Sequence, residues 1–204
     1  MAGGRNAERA AEILAPIEAW FSRQGWTPMA FQRDCWTAYL AGESGLLQVP
    51  TGSGKTYAAV MGPIAELLAS PAGRPPTATV NAADTDTDDA PTPRRRRVSG
   101  TAQGQGLRLL VLTPLRALSR DLALAIEQPI EAMGWPLRVG IRNGDTSSHE
   151  RSKQLRTPPE ILITTPESLS LLLANAKATE LFGALEAVVL LSLIHISEPT
   201  RPER

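Results

Sequence analysis

The 204-residue sequence lacks several features that would restrict its function. It contains one cysteine, Cys35, which excludes an internal disulfide and a cysteine-based metal cluster. Lysine plus arginine equal aspartate plus glutamate at 21 each, so contact with nucleic acid has to come from local sites and not from bulk charge. No apolar run is long enough to span a bilayer, and the N-terminus has no apolar signal-peptide core, which predicts a cytoplasmic protein.

The sequence does contain alternating helix-like and strand-like segments. Helical periodicity predicts helices over residues 7–23, 30–41, 54–70, 114–134, 147–156 and 166–176. Short apolar runs predict strands over residues 45–50, 107–113, 137–143, 160–165 and 185–191. This alternation predicts an α/β fold, a parallel sheet with helices on both faces, whose strands end along one ligand-binding edge. Pro16 and Pro63 predict a kink or break in their helices.

Residues 70–106 differ in composition from the rest of the chain. They hold few large apolar residues and are rich in proline, glycine, alanine and threonine, which predicts a disordered insert. Four aspartates between positions 84 and 89 precede the four arginines Arg94 to Arg97. The arginines suit a contact with nucleic acid or a partner, but a solvated loop whose charges cancel is the favoured interpretation.

The segment "PTGSGKT", residues 50–56, stands between a predicted strand and a predicted helix. Glycines allow backbone N–H groups to turn inward around phosphate oxygens, and the helix N-terminus adds unpaired donors and a positive dipole end. Lys55 supplies a charge for the β- and γ-phosphates, and the Thr56 hydroxyl is a ligand for Mg²⁺. The pattern predicts a site for ATP and Mg²⁺ made by Thr51, Gly52, Ser53, Gly54, Lys55 and Thr56.

Three further segments follow predicted strands: "TPLRAL" (113–118), "NGDTS" (143–147) and "ITTPESL" (163–169). Thr113 and Thr165 are predicted N-caps, with Pro114 and Pro166 at the first helical position. Each segment alone is explained by helix capping. Three on one sheet edge favour a row of N–H donors that hold successive nucleic-acid phosphates without reading bases, with added charge from Arg116.

The P-loop preceded by "FQRDCW" (31–36) resembles the opening of a superfamily 2 helicase, and the three segments resemble its motifs Ia, Ib and Ic. "PLRALSRDL", "RNGDTSSHER" and "PPEILITTPESLSLLL" narrow the resemblance to Lhr-like DNA helicases of the bacterial ligase-associated DExH-box branch. It covers residues 20–190 apart from the insert. It implies a RecA-like P-loop domain in the N-terminal part of an ATP-dependent helicase acting on single-stranded or partly duplex DNA. It also implies a DNA ligase or nuclease as a protein partner.

The resemblance assigns roles to individual residues. Gln32 is implied to read the adenine edge and Trp26 to stack on the ring, with Phe31 and Trp20 as alternatives. Lys55 is the implied catalytic residue. The implied nucleic-acid-binding residues are Thr113, Pro114, Arg116, Gly144, Asp145, Thr146, Thr165 and Pro166.

Hydrolysis needs acids for Mg²⁺ and for the attacking water, which the resembling family places in an Asp-Glu-x-His segment after the last predicted strand. Here "LSLIHISEPTRPER" (191–204) follows, no aspartate occurs after Asp145, and His195 lies between isoleucines that do not fit the motif. Residues 191–201 resemble a translated transposase adapter used in short-read sequencing. We therefore expect a helicase ATP-binding domain over 1–190, an artefactual tail, and no ATP turnover by this chain. The alternatives are another P-loop enzyme, such as a small-molecule kinase, and a non-hydrolysing nucleotide- or DNA-binding fragment.

Overall fold

The computed structural model describes residues 2–50, 52–70 and 106–191. The predicted insert and tail lie almost wholly outside these residues, as does Thr51. The elements in chain order are α1 (Ala2–Arg23), α2 (Ala30–Leu40), α3 (Lys55–Ala69), β1 (Leu109–Leu112), α4 (Arg116–Met133), β2 (Val139–Arg142), α5 (Ser148–Arg156), β3 (Ile161–Thr164), α6 (Pro166–Leu173), α7 (Ala178–Phe182) and β4 (Ala187–Leu190). Within the described ranges, no helix has the length and apolarity needed to cross a membrane.

The four strands form one parallel sheet in the order β2-β3-β1-β4. Leu109 at the start of β1 is in register with Ile161 of β3 and Ala187 of β4. All four residues of β1 and of β3 are buried, as expected for central strands covered on both sides. The predicted parallel α/β fold is therefore confirmed.

Helices cover both faces of this sheet. On one face, alternate residues of β1 and β3 pack against apolar residues of α1, α2, α3 and α4; these strand residues are Leu109, Val111, Ile161 and Ile163. On the other face, Leu110, Leu112 and Leu162 pack against Leu172 of α6 and Leu181 of α7. The alternation follows from the period of two along a strand.

The predicted breaks at Pro16 and Pro63 are wrong, because α1 and α3 each run through their proline, and the predicted kinks stay predictions. Pro63 lies on a buried surface of α3, and Gly62 beside it allows close packing against α2, where a Cβ would lie 3.2 Å from the Trp36 Cα. Tertiary packing of this kind outweighs the loss of one backbone hydrogen bond. The short helix α7 was not predicted, because five residues carry too little periodicity.

The predicted strand over residues 45–50 is also wrong. No strand forms there, and among the described residues the N–H groups of 45–49 find no backbone acceptor. Leu46 is 92% exposed, and a cleft of about 870 Å³ separates this segment from β4, whose Leu190 is 74% exposed. An apolar run becomes a strand only where a neighbouring strand completes its hydrogen-bond ladder, and this segment pairs with neither edge strand, β2 or β4.

The residue that precedes each strand is charged, and together these residues form a row along the amino edge of the sheet. In spatial order they are Arg138, Glu160, Arg108 and Glu186. Arg108 is 4% exposed and binds Glu186 through two hydrogen bonds of 2.7 and 2.9 Å. It also donates to the Leu67 carbonyl near the end of α3 at 3.1 Å. Arg138 binds Glu160 through bonds of 2.9 and 3.1 Å.

Candidate nucleotide site and nucleic-acid edge

The P-loop turns into α3 through two glycines in the left-handed region of backbone space. Gly52 has φ 80° and Gly54, the N-cap of α3, has φ 84°. A Cβ on Gly54 would lie 2.8 Å from the Gln32 Nε2, so a side chain there would meet both a strained backbone and a clash. The loop therefore delivers the free N–H groups of the α3 N-terminus to its concave side.

The polar side chains of the loop bind its own backbone. Lys55 Nζ donates to the Val49 carbonyl at 2.8 Å, and Ser53 Oγ donates to the Pro50 carbonyl at 2.7 Å. Thr56 is half-buried and lines the same cleft as Lys55. The described residues contain no cluster of three or more histidine, cysteine or acidic side chains suited to a metal. The Thr56 hydroxyl fits Mg²⁺ only as a single protein ligand, the arrangement in which phosphate oxygens and water supply the rest.

Gln32 connects α2 to the P-loop. Its side chain is 4% exposed, its Oε1 accepts from the Met29 N–H at 2.9 Å, and its Nε2 donates to the Gly54 carbonyl at 3.2 Å. These two bonds leave one N–H and one lone pair of the amide for a base. Recognition of the adenine edge by Gln32 stays a prediction.

An aromatic cluster joins the end of α1 and the following loop to α3. Trp26 is 47% exposed, and its ring lies 5.7 Å from Trp20 and 6.4 Å from Tyr57 of α3. Trp20 is fully buried and edge-on to its neighbours, so the alternative assignment of the stacking role to Trp20 is wrong. Phe31 is half-buried, and both it and Trp26 stay predictions. Tyr57 belongs to this cluster but was not among the predicted site residues, although it stands two residues after Lys55. Burial raises the pKa of its hydroxyl.

The three predicted nucleic-acid segments follow the neighbouring strands β1, β2 and β3. Thr165 is the N-cap of α6, accepting from the Ser168 N–H at 3.4 Å, and Pro166 starts the helix, as predicted. The same prediction for Thr113 and Pro114 is wrong, because α4 begins at Arg116. The Thr113 N–H donates instead to the Thr164 carbonyl at 3.0 Å, which continues the strand pairing and delays the helix by two residues.

The loop after β2 is held by its own side chains. Asn143 Oδ1 accepts from the Asp145 N–H at 3.0 Å, and Thr146 Oγ1 accepts from the Asn143 N–H at 3.0 Å. Arg151 of α5 donates to the carbonyls of Asn143 and Gly144, each at 3.0 Å. Asn143 and Arg151 were missed by the sequence analysis, although an asparagine before glycine is a typical turn signal. Ser147 caps α5 by accepting from the Glu150 N–H at 3.2 Å.

Arg116 joins the loops after β1 and β2. Its Nη1 lies 3.6 Å from Asp145 Oδ1, and a Cβ on Gly144 would lie 2.5–2.7 Å from its guanidinium atoms. Arg116 also acts on Glu167 of α6, whose pKa is lowered by its own backbone N–H, by the Thr165 hydroxyl and by this guanidinium. The structure thus brings together Arg116, Gly144, Asp145 and the start of α6.

The nucleotide loop and this edge share one cleft. Lys55, Thr56 and Thr113 line it together with residues of β4. The P-loop and the first of the three edge segments therefore border the same opening.

Comparison with known proteins gives the chain a family. The family model for DEAD/DEAH box helicases matches residues 29–190. The Lhr helicase/probable uracil glycosylase of Mycolicibacterium smegmatis is 33% identical over 90% of this chain. The Lhr helicase/uracil glycosylase of Escherichia coli is 34% identical over 88% of it. This chain spans 11% of the length of each of these two relatives.

Solved structures agree with the sequence relatives. The structure of the M. smegmatis helicase Lhr bound to single-stranded DNA and AMP-PNP is 30% identical, with a TM-score of 0.61, over 84% of this chain and 19% of that one. The DUF1998 helicase MrfA bound to DNA and AMPPNP, at 24% identity, shares the fold with a TM-score of 0.62, over 86% of this chain and 20% of that one. With a family match over most of its length and relatives of the Lhr type, the chain belongs to the DEAD/DEAH box helicases.

Proposed function

We propose that this chain supplies the ATP-binding and strand-holding part of a DNA helicase. The observation that carries the proposal is the shared cleft, which Lys55 and Thr56 of the P-loop line together with Thr113 at the start of the nucleic-acid edge. An ATP-driven motor needs its nucleotide site next to its DNA track, since small movements at the phosphates have to reach the strand.

At the nucleotide site, the N–H groups at the start of α3 would bind phosphate oxygens, and Lys55 would exchange the Val49 carbonyl for the β- and γ-phosphates. Thr56 would hold Mg²⁺, which when bound neutralises phosphate charge. Trp26 offers a half-exposed ring for stacking on the base that Gln32 would read. The proposed ligand is therefore ATP with Mg²⁺.

Along the edge, the loops after β1, β2 and β3 would hold the sugar-phosphate backbone of one DNA strand. Their donors are N–H groups at helix starts, with the Arg116 guanidinium between them. Such contacts position a strand without reading its sequence. The proposed substrate of the whole protein is single-stranded or partly duplex DNA, and a DNA ligase or nuclease remains its proposed partner.

We propose further that this chain binds nucleotide without turning it over. The seven residues that follow β4 (191–197) hold neither aspartate nor glutamate, and turnover needs an acid directly after this strand for the metal and the attacking water. Loss of such groups lowers hydrolysis by orders of magnitude but leaves the phosphate cradle intact.

The test is a titration of the purified chain with a fluorescent ATP analogue and Mg²⁺, together with a phosphate-release assay. We expect measurable binding that Lys55→Ala weakens at least about tenfold, because a charge-assisted contact to phosphate is lost. Lys177→Ala removes the same charge from an exposed position at the start of α7 and should change nothing. Equal affinities for the two variants would overturn the nucleotide site, and helicase-like phosphate release that depends on Lys55 would overturn the absence of turnover.

A further inference from the structure

We propose that Asp145 is a built-in competitor for Arg116, a carboxylate that occupies the guanidinium until a DNA phosphate displaces it. The inference rests on the proposed function of the edge and assigns Asp145 a role opposite to phosphate binding. It makes Asp145 a residue that limits affinity for the backbone and so eases release of the strand.

Arg116 and Asp145 belong to different elements, but their charged groups lie close together. Arg116 starts α4 after β1, whereas Asp145 lies in the loop after β2, and their charged atoms are 3.6 Å apart. Asn143 Oδ1 accepts from the Asp145 N–H, and the Asn143 N–H donates to Thr146 Oγ1, so the loop is held independently of Arg116. Gly144 leaves room for the guanidinium, because a Cβ there would lie within 2.5–2.7 Å of it.

The local charge balance shows why a carboxylate at this place acts as a competitor. Asp145 and the nearby Glu167 face Arg116 with two negative charges, while Arg151, which donates to the Asn143 and Gly144 carbonyls, adds a second positive charge to the same loop. A phosphate that approaches Arg116 therefore meets a cation already neutralised and a repelling carboxylate. Both partners are well exposed, at 61% and 76%, so water and salt weaken the pair enough for a phosphate to replace the carboxylate.

The experiment measures binding of a fluorescein-labelled oligo-dT to the 204-residue chain by fluorescence anisotropy over a salt series. Asp145→Asn should tighten binding about threefold to tenfold at low salt, the scale of one exposed charge interaction, with the gain fading as salt rises. Glu18→Gln is the matched control, since it removes one negative charge from an exposed pair with Arg33 on α1 and α2. It should leave affinity within about twofold of the unmodified chain.

A double variant decides whether Asp145 acts through Arg116. On an Arg116→Ala background, the gain from Asp145→Asn should shrink to less than half, because the competed cation is gone. An undiminished gain would show general repulsion and overturn the proposal, as would an Asp145→Asn variant that binds DNA more weakly or equally. Asp145→Ser is the second variant, and melting temperatures of all variants should agree because the replaced side chain is exposed.

The DNA-binding measurements distinguish failure of the proposed edge from failure of the competitor role of Asp145. If Arg116→Ala does not weaken DNA binding, the proposed edge itself is wrong. If Arg116→Ala weakens binding while Asp145→Asn does not strengthen it, the edge stands and only the competitor role is lost.

Discussion

The two functional regions at the carboxyl edge of the sheet differ in how their loops are held. The loop after β2 is fixed by bonds from Asn143, Thr146 and Arg151. The P-loop and the segment before it stand outside the sheet, and Lys55 is satisfied by the neighbouring Val49 carbonyl. The proposed DNA edge is thus held in place by its own hydrogen bonds, whereas the proposed nucleotide loop makes internal contacts that a phosphate would have to replace. The following predictions test that difference.

The largest expected effect is in amide hydrogen exchange. Amides of residues 45–49 have no backbone acceptor among the described residues and should exchange nearly as fast as in an unfolded chain. Amides of the buried strands β1 and β3 should exchange at least about a thousandfold more slowly. Adding an ATP analogue with Mg²⁺ should slow exchange around residues 52–56 and leave residues 143–146 unchanged.

Amide exchange at residues 45–49 that is as slow as in β1 before any nucleotide is added would contradict the difference between the two regions. Equal protection of the loop after β2 and of the P-loop by the ATP analogue would contradict that difference as well.

A second difference lies in the ion pairs at the opposite edge of the sheet. Arg108→Met should lower the free energy of unfolding by about 3–5 kcal/mol, since it leaves the Glu186 carboxylate poorly solvated. Arg138→Met should cost less, about 1–2 kcal/mol. Glu160 is only 5% exposed, but it keeps its hydrogen bond from the Arg138 backbone N–H at 2.9 Å, and water can take the place of the 47% exposed Arg138 side chain. Urea unfolding followed by tryptophan fluorescence measures both.

The double variant Arg108→Met/Glu186→Leu should recover most of the loss, because no buried charge then remains unpaired. Equal losses for the two arginine variants would show that burial does not distinguish the two pairs.

The smallest expected effect concerns acid. Burial acts to raise the pKa of Glu160, but the hydrogen bonds from Arg138 outweigh it and hold that pKa below its ordinary value of 4.5. A lowered pKa in the folded state stabilises the protein above the unfolded value, and this contribution is lost as pH falls through the folded value. Glu160→Gln should therefore cost about 0.5–1.5 kcal/mol at pH 7 and progressively less below about pH 4.5.

Urea unfolding at a series of pH values checks this expectation, with Glu18→Gln as the exposed carboxylate control. A cost for Glu160→Gln that stays constant from neutral to acid pH would contradict it.

The sequence predicts a structural feature best where all the residues that determine it lie within one element. Apolar periodicity predicted the helices and the parallel sheet, and the Thr165-Pro166 cap followed from local residue types. The prediction was wrong for residues 45–50, because the partner needed for a ladder is a tertiary property. It was wrong for Thr113, because the point where strand pairing stops depends on Thr164 of another strand. The contact of Arg116 with Asp145 joins loops on separate strands, so no local pattern could reveal it.

The charged row at the amino edge has a consequence for how the chain finds its fold. Parallel strands have no tight turn to select their neighbours, so each strand reaches its place after a long crossover. With the observed order, every arginine in the row stands beside a glutamate. If β2 were to settle beside β1, Arg138 would face Arg108, and if β3 were beside β4, two glutamates would be buried together. The row of charges therefore favours the observed strand order, because a misplaced strand would bring two like charges together before the core has closed.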